Sequence, residues 1–257
     1  VDSGEQPYLN VTSLGIYPKA YLNIKNRDIS FVFNLLPDKL IQRYGLITNE
    51  KIDILIDAAG FAYSSQWGDI HTKKLLNKIK VMKKNNTSVI LMPQAFGPFV
   101  SEAIKKSMRE IIKMSDLIFV RDSISLKAMK DLKPDADNLL KAPDFTNLYP
   151  PIVPDYFNPD VHQVCIVPNQ RMIDKRVDDS PSSYIELISK IITRIQALGM
   201  NPFILVHETK DQILVSKILP ENSLIPILVE SDPGLIKGVI SQSKALVGSR
   251  FHSLVSG

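Results

Sequence analysis

The sequence predicts an α/β fold with parallel sheets, and two features of its pattern lead to this class. From about residue 51 onward, apolar runs of strand length alternate with amphipathic stretches of helix length. The apolar runs are nearly continuous, which is typical of strands buried on both faces of a parallel sheet. One proline-rich stretch interrupts the alternation, so the pattern indicates two Rossmann-like domains joined by a linker.

The proline-rich stretch covers residues 146–162 and holds four of the 17 prolines. Proline fixes the backbone φ and removes a hydrogen-bond donor, so this composition favours a linker. We predict an N-terminal domain at residues 1–150, a linker at 151–162 and a C-terminal domain at 163–257. The last strand is followed only by a helix-like start, so we expect the C-terminal domain to be incomplete.

In the first domain, each apolar run is followed by a turn or a helix. The predicted strands are residues 52–60, 88–97, 117–122 and 139–144. Helices are predicted at residues 72–84, after a Ser101 cap, and from Asp122 or Ser123. Upstream, the run ISFVFNLL at residues 29–36 predicts a further strand, and residues 37–44 a short helix.

The second domain repeats the pattern. Its predicted strands are residues 164–169, 201–208, 223–231 and 245–250. Its predicted helices are residues 182–198, which end before Gly199, residues 211–219, and a helix that begins at Pro233.

Composition and charge exclude several classes of protein. The 257 residues are 44% hydrophobic and 23% charged, which is typical of a folded globular protein. The net charge of +4 is too small and too scattered for nucleic-acid binding, and favours a small anionic ligand. The lone Cys165 excludes an internal disulfide and predicts a buried strand residue in a reducing compartment. No apolar run reaches the ~18 residues that a transmembrane helix needs.

Polar residues collect where the predicted strands end. Ligands of parallel sheets bind beyond the carboxyl ends of the strands, so these residues are the candidate site. The candidates are Asp57, Gly60, Gln94, Gly97, Arg121, Ser123, His207, Ser249, Arg250 and His252.

Arg121 directly follows an apolar strand, and Ser123 lies at the start of a helix. A guanidinium fixed there would bind an anion through two parallel hydrogen bonds, and the helix start would add backbone N–H donors. The alternative is a surface arginine that pairs with Asp122 or with a helix end.

Arg250 and His252 flank Phe251 at the end of the last strand. If the backbone stays extended, both side chains lie on one face. An arginine beside a titratable imidazole indicates acid–base chemistry on an anionic substrate. The alternative is a structural histidine that bonds a backbone carbonyl.

The other histidines carry weaker hypotheses. His207 is either a second acid–base group or substrate anchor, or an incidental residue before a helix cap at Asp211. We interpret His71 and His162 as surface residues. Four scattered histidines without HxH or HExxH spacing predict no metal site, and neither GxGxxG nor a Walker A motif is present.

Taken together, these strand ends resemble the polysaccharide pyruvyl transferase family. The resemblance covers residues from about 51 to the end, and Q-x-x-G-P followed by RDS, a PD motif and SRFHS is its most specific part. The matching segments are LIDAAG with the following Gly68-Asp69, MPQAFGPF, FVRDSISLKAM, KAPDF, LVHETKD and VGSRFHSLVSG.

The resemblance implies two Rossmann-type domains in the GT-B arrangement of glycosyltransferases. It implies transfer of the enolpyruvyl unit of phosphoenolpyruvate to a sugar, usually as a ketal, with release of phosphate and without a cofactor. Arg121 and Arg250 would contact this donor, and His252 would be the acid–base group. The implied acceptor is a saccharide or lipid-linked saccharide, used in the cytoplasm at the inner face of the membrane, with peripheral membrane association.

Two alternatives stay open at this stage. One is a GT-B glycosyltransferase that uses a nucleotide sugar. The other is a catalytically degenerate relative that only binds glycans. Ala58-Ala59 favours this alternative, because family members often have glycines at these positions.

Overall fold

The computed structural model describes residues 15–24, 27–174 and 181–255 of the chain. Contacts divide the chain into two compact units, Val1–Phe145 and Thr146–Gly257. Each unit contains a four-stranded parallel sheet of Rossmann-like character. The predicted α/β class is therefore confirmed, whereas the GT-B arrangement remains a prediction.

The strands of the first unit are β1 (Asn23–Ile24), β2 (Arg27–Asp28), β3 (Ile54–Asp57), β4 (Ser88–Gln94), β5 (Leu117–Val120) and β6 (Leu139–Lys141). The parallel sheet follows chain order, β3-β4-β5-β6. Strands β1 and β2 form a short antiparallel pair upstream of it. Because each sheet strand lies beside its predecessor, the carboxyl ends line one edge in sequence order.

The helices of this unit are α1 (Asp38–Arg43), α2 (Ile70–Lys83), α3 (Glu102–Met114) and α4 (Ser123–Leu132). Helices α2 and α3 bury the apolar faces that their periodicity predicts. Helix α3 begins after Ser101, whose hydroxyl accepts the Ile104 N–H at 3.3 Å, as predicted. The core residues include Leu75, Leu76, Ile79, Met82, Met108, Ile111 and Ile112.

The strand predicted at residues 29–36 is wrong. Ser30–Leu35 form a 3-10 helix. The backbone closes its hydrogen bonds locally, with Val32 N–H on Ile29 O at 3.1 Å and Leu36 N–H on Phe33 O at 3.1 Å. An apolar run of this length does not by itself distinguish a strand from a helical turn, because a strand also needs a neighbour to pair with.

The strands of the second unit are β7 (Val164–Val167), β8 (Pro202–Val206), β9 (Ile227–Val229) and β10 (Ala245–Gly248). They form a sheet of the order β10-β7-β8-β9. Its helices are α5 (Arg171–Asp174), α6 (Pro181–Ala197), α7 (Thr209–Ile218), α8 (Pro233–Gln242) and α9 (Phe251–Val255). The chain order reverses between β7 and β10, and such a switch point is where parallel sheets of this kind bind ligands.

Strand β7 is buried on both faces, as its continuous apolar sequence predicts. Val164 and Ile166 pack in one cluster with residues of α6 and α7. Cys165 and Val167 pack in a second cluster with Val239 and Ile240 of α8. Successive side chains of a strand point to opposite faces, so both layers need apolar partners.

Residues 151–162, which the composition marks as a linker, lie in the second unit and part of this segment packs on helix α8. The Ile152 N–H donates to Gly234 O at 2.9 Å. A Cβ added to Gly238 would lie 1.8 Å from Ile152 O, so only glycine allows this approach. The Lys237 ammonium also donates to the carbonyl of Tyr149 at 2.7 Å.

The surface position predicted for His162 is wrong. Its side chain is buried and its ring centroid lies 5.2 Å from those of Phe157 and Phe203. Its Nδ1 accepts the Asn158 N–H at 3.0 Å, and burial lowers its pKa. The proline-rich composition does not reveal that this segment turns back and packs against β8. His71, in contrast, is exposed as predicted.

No helix within the described ranges is long and apolar enough to cross a membrane.

Candidate active site

Arg121 is a buried cation at the carboxyl edge of the first sheet. Its Nη1 donates to Asp144 Oδ2 at 3.1 Å, and the two side chains are 9% and 4% exposed. Asp144 follows β6, the neighbour of β5, so the pair spans two adjacent strand ends. The alternative partner from the sequence, Asp122, instead caps helix α4: its Oδ1 accepts the Ser125 N–H at 2.7 Å.

Ser123 lies at the start of helix α4 beside a cation that the sequence analysis did not single out. The exposed Lys141 at the end of β6 donates from Nζ to Ser123 Oγ at 2.7 Å. The Asp122 carboxylate also receives the Ser125 hydroxyl at 2.9 Å, so the helix start already carries one negative group. An anion that approached Ser123 would therefore depend on Lys141 for its countercharge.

Asp57 and Gln94 meet at the ends of β3 and β4. The Gln94 Nε2 donates to Asp57 Oδ2 at 3.0 Å, and the Tyr63 hydroxyl donates to Asp57 Oδ1 at 2.9 Å. Burial, and then the neighbouring Asp57 carboxylate, raise the pKa of Tyr63 far above its usual value. Tyr63 was missed because it lies in a loop with no periodic signal.

The two candidate glycines shape the loops around this cluster. Gly60 and Gly97 have φ of 71° and 78°, a region that side chains other than glycine rarely occupy. The Gly97 N–H donates to Tyr63 O at 3.0 Å, which joins the loop after β3 to the loop after β4. Their role in this structure is to fix the loop backbone.

In the second unit, Arg250 is clamped by two carboxylates. Its Nε and Nη2 donate to Asp211 Oδ2 at 3.0 and 2.6 Å, and its Nη1 donates to Glu208 Oε1 at 2.6 Å. The Arg250 and Asp211 side chains are 10% and 1% exposed, whereas Glu208 is 44% exposed. The Arg250 hydrogen bond, together with the Arg250 charge, holds the pKa of Glu208 below its usual value despite partial burial.

His252 does not sit on an extended backbone, so the premise that would place it on one face with Arg250 is wrong. Helix α9 begins at Phe251, and His252 is an exposed residue of its first turn. The chain turns because the Ser253 hydroxyl donates to Arg250 O at 2.7 Å. A Cβ on Gly248 would lie 2.5 Å from Ser253 Oγ, so glycine permits the tight return.

His207 directly follows β8 and carries a half-buried imidazole. Its Nε2 is buried and has no hydrogen-bond partner in the part of the chain that the structure describes. Burial is the main cause that lowers its pKa, and the Arg250 charge lowers it further. The helix cap predicted at Asp211 is wrong, because Glu208 occupies the cap position of α7. Asp211 instead accepts hydrogen bonds from Arg250 and from the Gln170 N–H.

Ser249 belongs to a polar network at the switch point between β7 and β10. Its hydroxyl lies 2.6 Å from the Tyr184 hydroxyl. Asn169, just past β7, donates from its backbone N–H to Tyr184 at 3.2 Å and from Nδ2 to Ser249 O at 3.2 Å. Tyr184 was missed because it lies within the amphipathic helix α6, where an aromatic residue indicates core packing.

Within residues 15–24, 27–174 and 181–255, no three His, Cys, Asp or Glu side chains are arranged to hold a metal ion.

Each of the two units is consistent with a Rossmann-like domain and carries a charged cluster at or near the carboxyl edge of its parallel sheet. A family model for polysaccharide pyruvyl transferases matches residues 5–257, nearly the whole chain. The chain therefore belongs to the polysaccharide pyruvyl transferase family and is a transferase, whose family activity is pyruvyl transfer to polysaccharide. The match extends well upstream of residue 51, where the motifs recognised in the sequence begin. A search of curated proteins found no matching relative.

Proposed function

We propose that this transferase moves the pyruvyl unit of phosphoenolpyruvate to a hydroxyl pair of a saccharide and releases phosphate. The observation that carries the proposal is the pair of buried arginines, Arg121 and Arg250, one at the carboxyl edge of each sheet. Phosphoenolpyruvate presents a phosphate and a carboxylate, and guanidinium groups match both in charge and in geometry.

Each arginine is held in place before a ligand arrives. Asp144 fixes Arg121, and Asp211 with Glu208 fixes Arg250. Nη1 and Nη2 of Arg250 each donate one hydrogen bond to a described residue, so each keeps a second N–H for a ligand. A guanidinium whose rotamer is already fixed loses little entropy when it binds an anion. Ser123, supported by Lys141, would add a hydroxyl donor.

The proposed reaction begins with transfer of a proton from protonated His252 to the methylene carbon of the donor. The carbon–carbon double bond becomes a methyl group and leaves an oxocarbenium-like centre. One sugar hydroxyl attacks this centre and loses its proton to a base. The bond to phosphate then breaks, and a second hydroxyl attacks and loses its proton, which closes a ketal. One hydroxyl proton leaves with the phosphate and the other restores His252.

The first turn of α9 places the His252 imidazole in an exposed position that a substrate can reach. Its exposure suits proton exchange with both substrate and solvent. We propose that the other strand-end candidates line the substrate. They are Asp57, Gly60, Gln94, Gly97, His207 and Ser249.

The acceptor in this proposal is a saccharide or a lipid-linked saccharide precursor, and we propose that it is modified in the cytoplasm at the inner face of the membrane. The proposal requires no cofactor and no metal. Family membership favours pyruvyl transfer over the transfer of a sugar from a nucleotide, which was open from the sequence.

The experiment is incubation of the protein with phosphoenolpyruvate and a panel of saccharides, with phosphate release as the readout. We expect release that depends on both donor and acceptor. His252→Ala is expected to lose about 10²- to 10⁴-fold in turnover, the usual contribution of general acid–base catalysis, while donor binding is kept. The control His71→Ala replaces an exposed imidazole on helix α2 and is expected to match wild type.

Turnover of His252→Ala equal to that of wild type would remove His252 from the reaction. Transfer from a nucleotide sugar, with no phosphate release from phosphoenolpyruvate, would contradict the proposed donor.

A further inference from the structure

Asp57 differs from Asp144 and Asp211, the buried aspartates of the two arginine pairs. Asp144 and Asp211 each bind an arginine. Asp57 instead receives two neutral donors, the Tyr63 hydroxyl on Oδ1 and the Gln94 amide on Oδ2. Across the described ranges, no lysine, arginine or histidine lies within ion-pair distance of it. The carboxylate is thus oriented without being neutralised.

Gln94 provides a second, independent observation: one of its buried polar atoms has hydrogen-bonding capacity that the described residues do not satisfy. Its side chain is fully buried, and its Nε2 is committed to Asp57. Its Oε1 has no hydrogen-bond partner in the described part of the chain, which is costly for a buried polar atom. A hydroxyl group that reached the half-buried Asp57 would meet a carboxylate that is already oriented.

The local backbone holds Gln94 in this position. The pairing of β4 with β5 shifts between Leu91 and Gln94, and Pro93 lies within this irregular stretch. Gln94 O then accepts the Arg121 N–H at 3.1 Å. Irregularities of this kind often redirect a side chain at the rim of a sheet.

Space is present beside the cluster. Apart from Gly60 and its two chain neighbours, no heavy atom of the described residues lies within 4 Å of the position that a Cβ on Gly60 would take. Asp57 itself is half-buried and can be reached by solvent. A carboxylate with oriented oxygens and open space suits the hydroxyl groups of a sugar, which are uncharged donors.

We infer that Asp57 binds an attacking hydroxyl of the acceptor saccharide and accepts its proton, and that Tyr63 and Gln94 are its positioning residues. As the hydroxyl oxygen forms its bond to the central carbon of the donor, the O–H bond breaks and the proton moves to Asp57. Asp57 later releases this proton to the departing phosphate or to water. The inference rests on the proposed function and assigns the acceptor side of the reaction.

The test compares Asp57→Asn with wild type in acceptor-dependent phosphate release and in stabilisation by phosphoenolpyruvate alone. Asparagine keeps the size of the side chain, and Gln94 can turn its amide to keep the hydrogen bond, so the fold is preserved. We expect turnover to fall about 10²- to 10³-fold, as for the loss of a general base, with donor-induced stabilisation unchanged. Asp116→Asn is the matched control, because Asp116 also accepts two hydrogen bonds but precedes β5.

Tyr63→Phe tests positioning. We expect about a tenfold loss of turnover, because one of the two hydrogen bonds that orient the carboxylate is removed. The same change made in Asp57→Asn should have little further effect, because Tyr63 acts through Asp57. A purely structural role would instead give equal losses in both backgrounds.

Asp57→Asn turnover within threefold of wild type overturns the inference and leaves the proposed function standing. Loss of donor-induced stabilisation also overturns it, because Asp57 would then act on the donor side. A wild-type protein that releases no phosphate with any acceptor overturns the proposed function, and the inference with it.

Discussion

The two units hold a buried arginine in different ways. In the first unit, Arg121 follows β5 and binds Asp144 from the next strand end. In the second unit, Arg250 follows β10 and binds Asp211 and Glu208 near the start of α7, which follows β8. One positive and one negative charge cancel in the first pair, whereas one positive and two negative charges leave the second group with a net charge of −1.

The comparison shows that the same device, a guanidinium fixed by an aspartate, arises from two sheet topologies. In the first unit the strands follow chain order, and in the second the order reverses at β7 and β10. The second unit adds a second carboxylate, Glu208, beside its arginine. The Glu208 side chain is 44% exposed, whereas that of Asp211 is 1% exposed. We therefore expect Asp211 to be the structural partner and Glu208 to be a counterion that an anionic donor displaces.

The largest expected effect is on stability, in Asp144→Ala. Removal of one partner of a buried ion pair typically costs about 3–5 kcal/mol, because the remaining charge stays buried. Urea unfolding would measure this loss. Asp135→Ala is the control, because Asp135 pairs with Lys133 at the surface and should leave the stability close to that of wild type. A loss for Asp144→Ala as small as that of the control would mean that other contacts hold Arg121.

The next effect is on turnover, in Arg250→Lys. A lysine ammonium is a point charge and cannot reproduce the fork of hydrogen bonds to Asp211 and Glu208 together with those to a ligand. We expect phosphate release to fall about 10²-fold, and Arg121→Lys to behave alike. If Arg250→Lys bound phosphoenolpyruvate with wild-type affinity, the proposed contact of Arg250 with the donor would be wrong. Arg109→Lys, on the exposed face of α3, is the matched control.

A smaller effect separates the two carboxylates of the second unit. Glu208→Gln removes one negative charge beside Arg250 and keeps the shape of the side chain. We expect affinity for phosphoenolpyruvate to rise about two- to fivefold, since exposed charges contribute about 1 kcal/mol or less. Glu186→Gln, which removes an exposed carboxylate paired with Lys190, should leave affinity unchanged. Weaker donor binding in Glu208→Gln would show that Glu208 supports the site rather than blocks it.

The smallest effect concerns pH. Burial lowers the pKa of His207, and Arg250 and His252 lower it further while Asp211 and Glu208 oppose them. In the unfolded chain the imidazole titrates near its ordinary value of about 6.5, so the unfolded state binds more protons in mildly acidic buffer. Stability is therefore present above that pKa and is lost as pH falls towards the lowered folded pKa. Between pH 7.5 and 5.5, we expect the melting temperature of both proteins to fall, and the fall to be about 2 °C smaller for His207→Gln than for wild type. Parallel curves for the two proteins would contradict this.

The sequence predicts much of the fold because strand and helix periods are local properties. The apolar runs at β7 and β8 and the helical faces around Ile79 and Ile111 are where the pattern places them. The strand predicted at residues 223–231 shrinks to Ile227–Val229 because only that part pairs with β8. Pairing depends on residues distant in sequence, which a local pattern does not reveal.

In the candidate site, too, local features are predicted from the sequence and contacts between distant residues are not. Arg121 and Asp57 are visible in the sequence because each closes a strand. Their partners Asp144 and Tyr63 come from a neighbouring strand end and from a loop, and are recognised only once the chain is folded. The extended backbone expected at His252 fails for a related reason: the Ser253 hydrogen bond to Arg250 O begins a helix where the apolar pattern alone predicts a strand end.

The most direct measurement is the melting temperature of the protein in the presence of phosphoenolpyruvate, inorganic phosphate, UDP or GDP. A ligand that binds only the folded state at 100 times its Kd stabilises it by about 2.7 kcal/mol, a readily measured shift. We predict that phosphoenolpyruvate raises the melting temperature more than phosphate does, and that UDP and GDP have no effect. Stabilisation by a nucleotide, with none by phosphoenolpyruvate, would contradict it.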